Sequence, residues 1–136
     1  MYFCARLLAP GSYPYTETYE FNIPEGKLLK IIKNFKNDHQ ELMVPIDLED
    51  GRKDSSDYWY HIYFYDKATD NIFYTWTRPS EKNKTTFALV AINNGLSLGN
   101  WKEINKDFSS NENKKIKEYF KRIILDSIKM RITKLN

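Results

Sequence analysis

The chain has 136 residues, a length typical of one domain with its own core. A hydrophobic fraction of 41%, with 15% aromatic residues, excludes a disordered chain. Basic residues (21) outnumber acidic ones (18), and the formal net charge of +3 permits a nucleic-acid partner without pointing to one.

Cys4 is the only cysteine, which excludes an internal disulfide and a cysteine-only zinc site and suits a reducing compartment or a small exported protein without disulfide bridges. No apolar run reaches the roughly 18 residues that a membrane span requires. Residues 1–10 are apolar, but no basic segment precedes their short apolar run, so they do not resemble a signal peptide. We therefore expect one domain over residues 1–136, no membrane span and a cytoplasmic location.

The first elements are a strand and a helix. Residues 15–23 alternate between apolar and polar side chains, which predicts a half-buried strand. Pro24 ends that strand and suits the first turn of a helix. Apolar residues then recur at helical spacing and predict a helix over 24–37: Leu28, Ile31, Ile32 and Phe35. Residues 39–57, rich in carboxylates, are interpreted as a long polar loop.

Three strand-favouring runs follow. Residues 58–65 contain six aromatic rings in eight positions, and further runs lie at 72–77 and 85–92. Short polar connections between them predict an antiparallel meander.

The expected pairing assigns side chains to the two faces of this meander. One face receives Tyr60, Ile62, Phe64, Phe73, Thr75 and Thr77, together with Ala88, Val90 and Ile92. The other receives Trp59, His61, Tyr63, Tyr65, Ile72, Tyr74, Trp76 and Arg78, together with Phe87, Leu89 and Ala91.

The last predicted element is the longest helix, over 110–132. Ser109 and Glu112 have the spacing of a capping box at its start. Its apolar stripe contains Ile116, Tyr119, Phe120, Ile123, Ile124, Ile128 and Ile132. The order strand, helix, three strands, helix predicts an α+β fold, with an antiparallel sheet of about four strands and two helices packed on one face.

Catalytic and metal-binding patterns are weak. In the carboxylate-rich loop, counting back from Gly51 puts Ile46 at the first ligand position of an EF-hand, so we expect no metal and no cofactor. His39 and His61 lack a second histidine or cysteine at ligand spacing, and His61 is interpreted as a packed or hydrogen-bonded ring. Cys4 has no neighbouring base, and no phosphate loop or nucleophile elbow occurs. We expect no enzymatic activity.

The aromatic strands carry the strongest functional signal. Tyrosine, tryptophan and arginine dominate the hot spots of protein interfaces. The candidate partner-binding residues are Tyr58, Trp59, Tyr63, Tyr74, Trp76 and Arg78. Two alternatives stay open: the rings form a core, or they stack on unpaired bases while lysines contact phosphates.

The order of elements over 24–132 resembles the double-stranded RNA-binding domain, and the last helix opens with Asn113-Lys114-Lys115-Ile116-Lys117. That family places lysines at this helix start to bind phosphates, which would carry over to Lys114, Lys115 and Lys117. The chain departs from the family in its long 39–57 loop. Its helix faces also carry Ile, Tyr and Phe where the family packs alanine.

Residues 57–105 are similar to small bacterial proteins, some of them from toxin–immunity systems. The resemblance lies in the aromatic run 58–65 and in Trp76-Thr77-Arg78, Ile92-Asn93-Asn94-Gly95 and Trp101-Lys102-Glu103-Ile104-Asn105. It implies a non-enzymatic protein-binding protein, an immunity protein or inhibitor that blocks a toxin, and it transfers no functional residue. A nucleic-acid-binding module is the second hypothesis, and a small-ligand pocket between sheet and helices is the third.

Overall fold

The computed structural model describes residues 13–135. Cys4 and the apolar start of the chain lie outside this range. The strands are β1 (Glu17–Phe21), β2 (Tyr60–Asp66), β3 (Asn71–Glu81), β4 (Lys84–Asn94) and β5 (Trp101–Glu103). The α-helices are α1 (Glu25–Asp38), α2 (Ser110–Phe120) and α3 (Asp126–Thr133). A 3₁₀ turn (Gln40–Leu42) follows α1, and a π-helical segment (Lys121–Leu125) joins α2 to α3.

The strands form one antiparallel sheet in the order β1-β4-β3-β2, and β5 pairs with β4 beyond the end of β1. The predicted α+β class is confirmed, with five strands where about four were expected. The fifth strand has only three residues, too few for a visible alternation of polar and apolar side chains.

The predicted helix boundaries differ from the observed ones by one residue at most. The first helix begins after Pro24, and its first turn contains Glu25. At the start of α2, the Ser109 hydroxyl accepts a hydrogen bond from the Glu112 N–H at 3.2 Å, as the capping box predicts. The predicted helix over 110–132 is one continuous run with the π-helical segment in its middle.

Both helical runs pack on one face of the sheet, here called the helix-covered face. Phe120 lies at its centre, with ring centroids 5.4 Å from Phe73, 6.1 Å from Phe87 and 6.3 Å from Tyr19. The helices bury an aliphatic set against these rings: Leu28, Ile31, Ile32, Ile124, Leu125 and Ile128. The helix-covered face is therefore a hydrophobic core.

The predicted faces of β2 and β3 are confirmed, but four residues of β4 were assigned to the wrong face. Phe87 pairs with Thr77 and Leu89 with Thr75, so both belong to the helix-covered face. Ala88 and Val90 lie on the opposite face. The register shifts between Pro79 and Glu81, and again between Tyr74 and Thr75. Each irregularity displaces the pairing by one residue, which exchanges the two faces.

Candidate functional site

The sheet's second face, here called the aromatic face, is covered by rings instead of helices. Six rings form it: Tyr13, Trp59, Tyr63, Tyr74, Trp76 and Trp101. Tyr63 stacks on Tyr74 at 5.1 Å, and Tyr13 lies edge-on to Trp59 at 4.9 Å and to Trp76 at 5.3 Å. Beneath them β4 contributes only small side chains, namely Ala88, Val90 and Ala91. Small residues there leave room for large rings above the strand.

The structure brings the six candidate partner-binding residues together but buries them to different degrees. Tyr74 and Trp76 are only 5% and 2% exposed and belong to the centre of the aromatic face. Trp59, Tyr63 and Arg78 are half-buried, and Tyr58 is 50% exposed. Contact with a partner is therefore available mainly to Tyr58 and to the outer parts of the half-buried side chains.

Tyr58, Trp59 and Arg78 form a continuous surface, here called the aromatic rim. The Tyr58 ring lies 5.4 Å from Trp59, and its hydroxyl donates to the Pro79 carbonyl at 3.3 Å. The Arg78 guanidinium lies 6.0 Å from the Tyr58 ring centroid and 5.7 Å from that of Trp76, within cation–π distance. Within residues 13–135, no carboxylate forms an ion pair with Arg78.

A buried chain of hydrogen bonds connects the long loop to the aromatic face. His61 Nε2 lies 2.8 Å from Asp57 Oδ2, and His61 Nδ1 lies 2.7 Å from the Tyr74 hydroxyl. The Tyr74 hydroxyl lies 3.3 Å from that of Tyr13. An ionised carboxylate can only accept, so Nε2–H donates to Asp57, and Nδ1 of the neutral ring accepts from Tyr74. Both ring nitrogens of His61 are therefore occupied inside the fold.

The electrostatics of this chain agree with a neutral histidine beside an ionised aspartate. Burial lowers the pKa of His61. Burial acts to raise the pKa of Asp57, but hydrogen bonds from the Lys53 N–H, from His61 and from the Trp59 N–H outweigh it and hold that pKa below its usual value. Burial also raises the pKa of Tyr74. These hydrogen bonds hold Asp57, the residue before Tyr58, in a fixed position against the sheet.

The outer edge of β2 is closed by other parts of the chain. Gly51 and His61 exchange two backbone hydrogen bonds, at 2.9 and 3.0 Å. Asp50 accepts from the Tyr63 N–H at 2.9 Å, and the Lys36 ammonium donates to the Tyr63 carbonyl. An open edge would invite pairing with another strand, and these contacts occupy it at His61 and Tyr63. A partner that binds here must use side chains instead of adding a strand at these positions.

The lysines of the nucleic-acid hypothesis do not form one free cluster. Lys114 and Lys115 are exposed in α2. Lys117 is half-buried, and its ammonium lies 3.2 Å from Glu17 Oε1 and 3.0 Å from Asn105 Oδ1. An internal carboxylate therefore competes with a phosphate for the charge of Lys117. Lys114 and Lys115 form no ion pair with a carboxylate of the described residues.

Within residues 13–135, no three side chains among His, Cys, Asp and Glu come together as a metal site would require. Three of the loop carboxylates have partners within the fold: Asp50 binds Lys36, Asp54 accepts from Ser56, and Asp57 binds His61. No helix in the described part of the chain is long and apolar enough to cross a membrane.

No protein-family model, curated protein or solved structure matches this chain.

Sequence reasoning missed four residues that organise the site: Tyr13, Lys36, Asp50 and Asp57. The four-residue spacing of Asp57 and His61 did not suggest a contact, because Asp57 was assigned to a solvated loop. Lys36 has the spacing of an exposed helical lysine, although its ammonium is buried against Asp50. The contacts of Lys36 with Asp50 and of Tyr13 with Tyr74 join residues 14 and 61 positions apart, and such contacts leave no local pattern.

Proposed function

We propose that this chain is a non-enzymatic protein-binding protein, an immunity protein or inhibitor that blocks a bacterial toxin, and that it contacts its partner through the aromatic rim. The observation that carries the proposal is the pair formed by Tyr58 and Arg78. A ring that is 50% exposed lies beside a guanidinium that forms no ion pair with a carboxylate of residues 13–135. Exposed tyrosine next to unpaired arginine has the composition of an interface hot spot.

The rim is also preorganised. Asp57 accepts hydrogen bonds from the Lys53 N–H at 3.0 Å and the Trp59 N–H at 3.2 Å, in addition to the bond from His61. These bonds hold the backbone on both sides of Tyr58 before any partner arrives. Binding then orders few additional side chains, which reduces its entropic cost.

Arg78 suggests the chemistry of the complementary surface. A guanidinium can donate two parallel hydrogen bonds to a carboxylate, and such pairs are strong when they are shielded from water. We expect the partner to place an aspartate or glutamate against Arg78 and an apolar group against Tyr58. The toxin-blocking role rests on the resemblance of residues 57–105, and the cytoplasm is the proposed location.

A catalytic role for His61 has less support. Its ring is buried, and both nitrogens are hydrogen-bonded to residues of the fold. A general base needs a nitrogen within reach of a substrate proton. The geometry supports a structural role, in which His61 connects the loop to the sheet.

The competing function is nucleic-acid binding through α2. The internal pairing of Lys117 weakens that hypothesis, because affinity for phosphates grows with the number of free cations. We expect no binding to generic RNA or DNA tighter than about 10 μM at about 150 mM salt. Submicromolar RNA binding that weakens when Lys114, Lys115 and Lys117 are replaced by alanine would favour this alternative.

The direct test first determines whether a toxin gene lies next to the gene for this chain. The purified product of such a gene is then the candidate partner, with affinity measured by isothermal titration calorimetry. Tyr58→Ala and Arg78→Ala are each expected to weaken binding by about 30-fold or more, the loss typical of a hot spot. Leu98→Ala is the matched control, since Leu98 is also an exposed residue, at 48%. It follows the end of β4, where Asn94 pairs with Asn71. Asn71 is the first residue of β3 and lies far along that strand from Arg78. A complex that tolerates both rim substitutions would exclude the rim as the contact.

A further inference from the structure

A second candidate site lies on the other side of the sheet, between α1, the loop that follows it and β2. It is a groove of about 460 Å³, within the range of small-molecule pockets. Its apolar wall consists of Leu29, Ile32, Met43, Tyr60 and Ile62. None of the residues of the aromatic rim lines it.

Basic side chains outnumber acidic ones around this groove. Lys30, Lys33, Lys36 and Asp50 line it. Lys36 and Asp50 neutralise each other, with the ammonium 2.7 Å from the carboxylate. Lys30 and Lys33 are exposed, and neither forms an ion pair with a carboxylate of the described residues. An apolar wall with two unpaired cations beside it is complementary to an amphipathic anion.

We propose that this groove binds a small organic anion whose apolar chain or ring lies along Leu29, Met43 and Tyr60 and whose carboxylate, or a similar anionic group, is held by Lys30 and Lys33. The proposal is independent of the protein contact at the aromatic rim. A cationic ligand would meet three lysines and one aspartate, so charge selects against it.

The first experiment titrates monomeric decanoate into the ¹³C-methyl-labelled protein at low salt, where charge contributions are least screened. Saturable shifts are expected at the methyl groups of Leu29, Ile32, Met43 and Ile62, with a dissociation constant of about 1 mM or tighter. The methyl groups of Val90 on the aromatic face serve as the internal reference and should not shift. Decylammonium has the same chain length with the opposite charge and should bind at least about tenfold more weakly.

The second experiment repeats the titration with a charge-reversal variant and a matched control. Lys30→Glu combined with Lys33→Glu is expected to weaken decanoate binding by about tenfold or more. Lys27→Glu combined with Lys115→Glu changes the net charge equally at exposed positions outside the groove. That control should change the dissociation constant by less than about twofold.

Four results would overturn the proposal. They are the absence of saturable shifts, shifts centred away from the groove, equal weakening by the two double variants, and equal binding of decanoate and decylammonium. Binding to anionic phospholipid vesicles without binding to monomeric decanoate would also contradict it, because the proposed ligand is a single molecule held in the groove.

Discussion

The two faces of the sheet are buried by different means. Helices cover one face with aliphatic side chains and phenylalanine, and its centre around Phe120 consists of carbon. On the other face, segments near Tyr13, Trp59 and Trp101 contribute single large rings. The same strand, β4, serves both faces, with Phe87 and Leu89 toward the helices and Ala88 and Val90 toward the rings.

This difference has a physical consequence. Hydrocarbon side chains have no polar group to satisfy, so the helix-covered face depends mainly on volume and shape. Its buried threonines are the exception, and the Thr75 hydroxyl donates to the Ile62 carbonyl at 2.8 Å. Tyrosine, tryptophan and histidine each bring a polar atom into the interior, where it requires a partner. The hydroxyl of Tyr74 has such partners in His61 and Tyr13, whereas Trp76 Nε1 has no acceptor within residues 13–135. The helix-covered face should therefore contribute more to stability, and the aromatic face should be more sensitive to pH.

The largest expected effect is on the helix-covered face. Phe120→Ala removes a fully buried ring that three other rings contact, and should lower the free energy of unfolding by about 3–5 kcal/mol. Urea unfolding followed by circular dichroism measures the loss. Met130→Ala is the control, since Met130 is 60% exposed and its replacement should cost less than about 0.5 kcal/mol. A loss below about 1 kcal/mol for Phe120→Ala would contradict the assignment of the core to this face.

The next effect tests the buried hydrogen-bond chain. His61→Phe leaves Tyr74 without its acceptor and Asp57 without one donor, which should cost about 1–3 kcal/mol at pH 7.5. Burial lowers the pKa of His61 in the folded protein, so as the pH falls below about 6.5 the histidine of the unfolded chain is protonated first. The wild-type protein therefore loses stability as the pH falls through this range. His61→Phe has no titratable ring at this position, so it does not undergo this loss of stability. The difference between the two melting temperatures should therefore shrink between pH 7.5 and 5.5, and a growing difference would contradict a neutral buried His61.

The sequence was sufficient to predict the elements with strong local signals. The helical periodicity around Leu28 and Ile31 and the Ser109 capping box predicted the helices, and the aromatic run 58–65 predicted the first strand of the meander. The faces of β2 and β3 followed from a short turn between Asp66 and Asn71, which the structure confirms.

Other features depended on non-local geometry and could not be predicted. The face of Phe87 was wrong because the register shift between Pro79 and Glu81 changes no local alternation. Composition selected Tyr74 and Trp76 as candidate contact residues, although both are buried. Their burial depends on Tyr13, which lies 61 residues from Tyr74 along the chain. Composition alone could not separate the exposed Tyr58 from the buried rings.

A smaller effect is expected at the indole that lacks an acceptor. Trp76→Phe removes packing area but also removes a buried N–H without a partner, whose desolvation costs about 1–3 kcal/mol. The two contributions oppose each other, so the free energy of unfolding should change by less than about 1.5 kcal/mol. Trp76→Ala removes the whole ring and should cost about 3–5 kcal/mol. Equal losses in the two variants, measured by urea unfolding, would show that the indole N–H is satisfied.

The smallest effect on stability is expected at the aromatic rim. Tyr58 is 50% exposed, and its hydroxyl donates one long hydrogen bond, at 3.3 Å, to the Pro79 carbonyl. Tyr58→Ala should therefore change the free energy of unfolding by less than about 0.5 kcal/mol, as is usual for surface positions. Trp59, whose ring contacts both Tyr13 and Trp76, is the comparison residue, and Trp59→Ala should cost more.

Stability and affinity together distinguish the two possible roles of the Tyr58 ring. A side chain that closes the aromatic face contributes to the folded state with or without a partner, so its removal must appear in urea unfolding. A side chain that serves an interface appears only when the partner is present. Near-parent stability for Tyr58→Ala, combined with a large loss of affinity in the calorimetric titration, is the result expected of a binding residue. A loss of stability above about 2 kcal/mol would instead assign Tyr58 to the packing of the aromatic face.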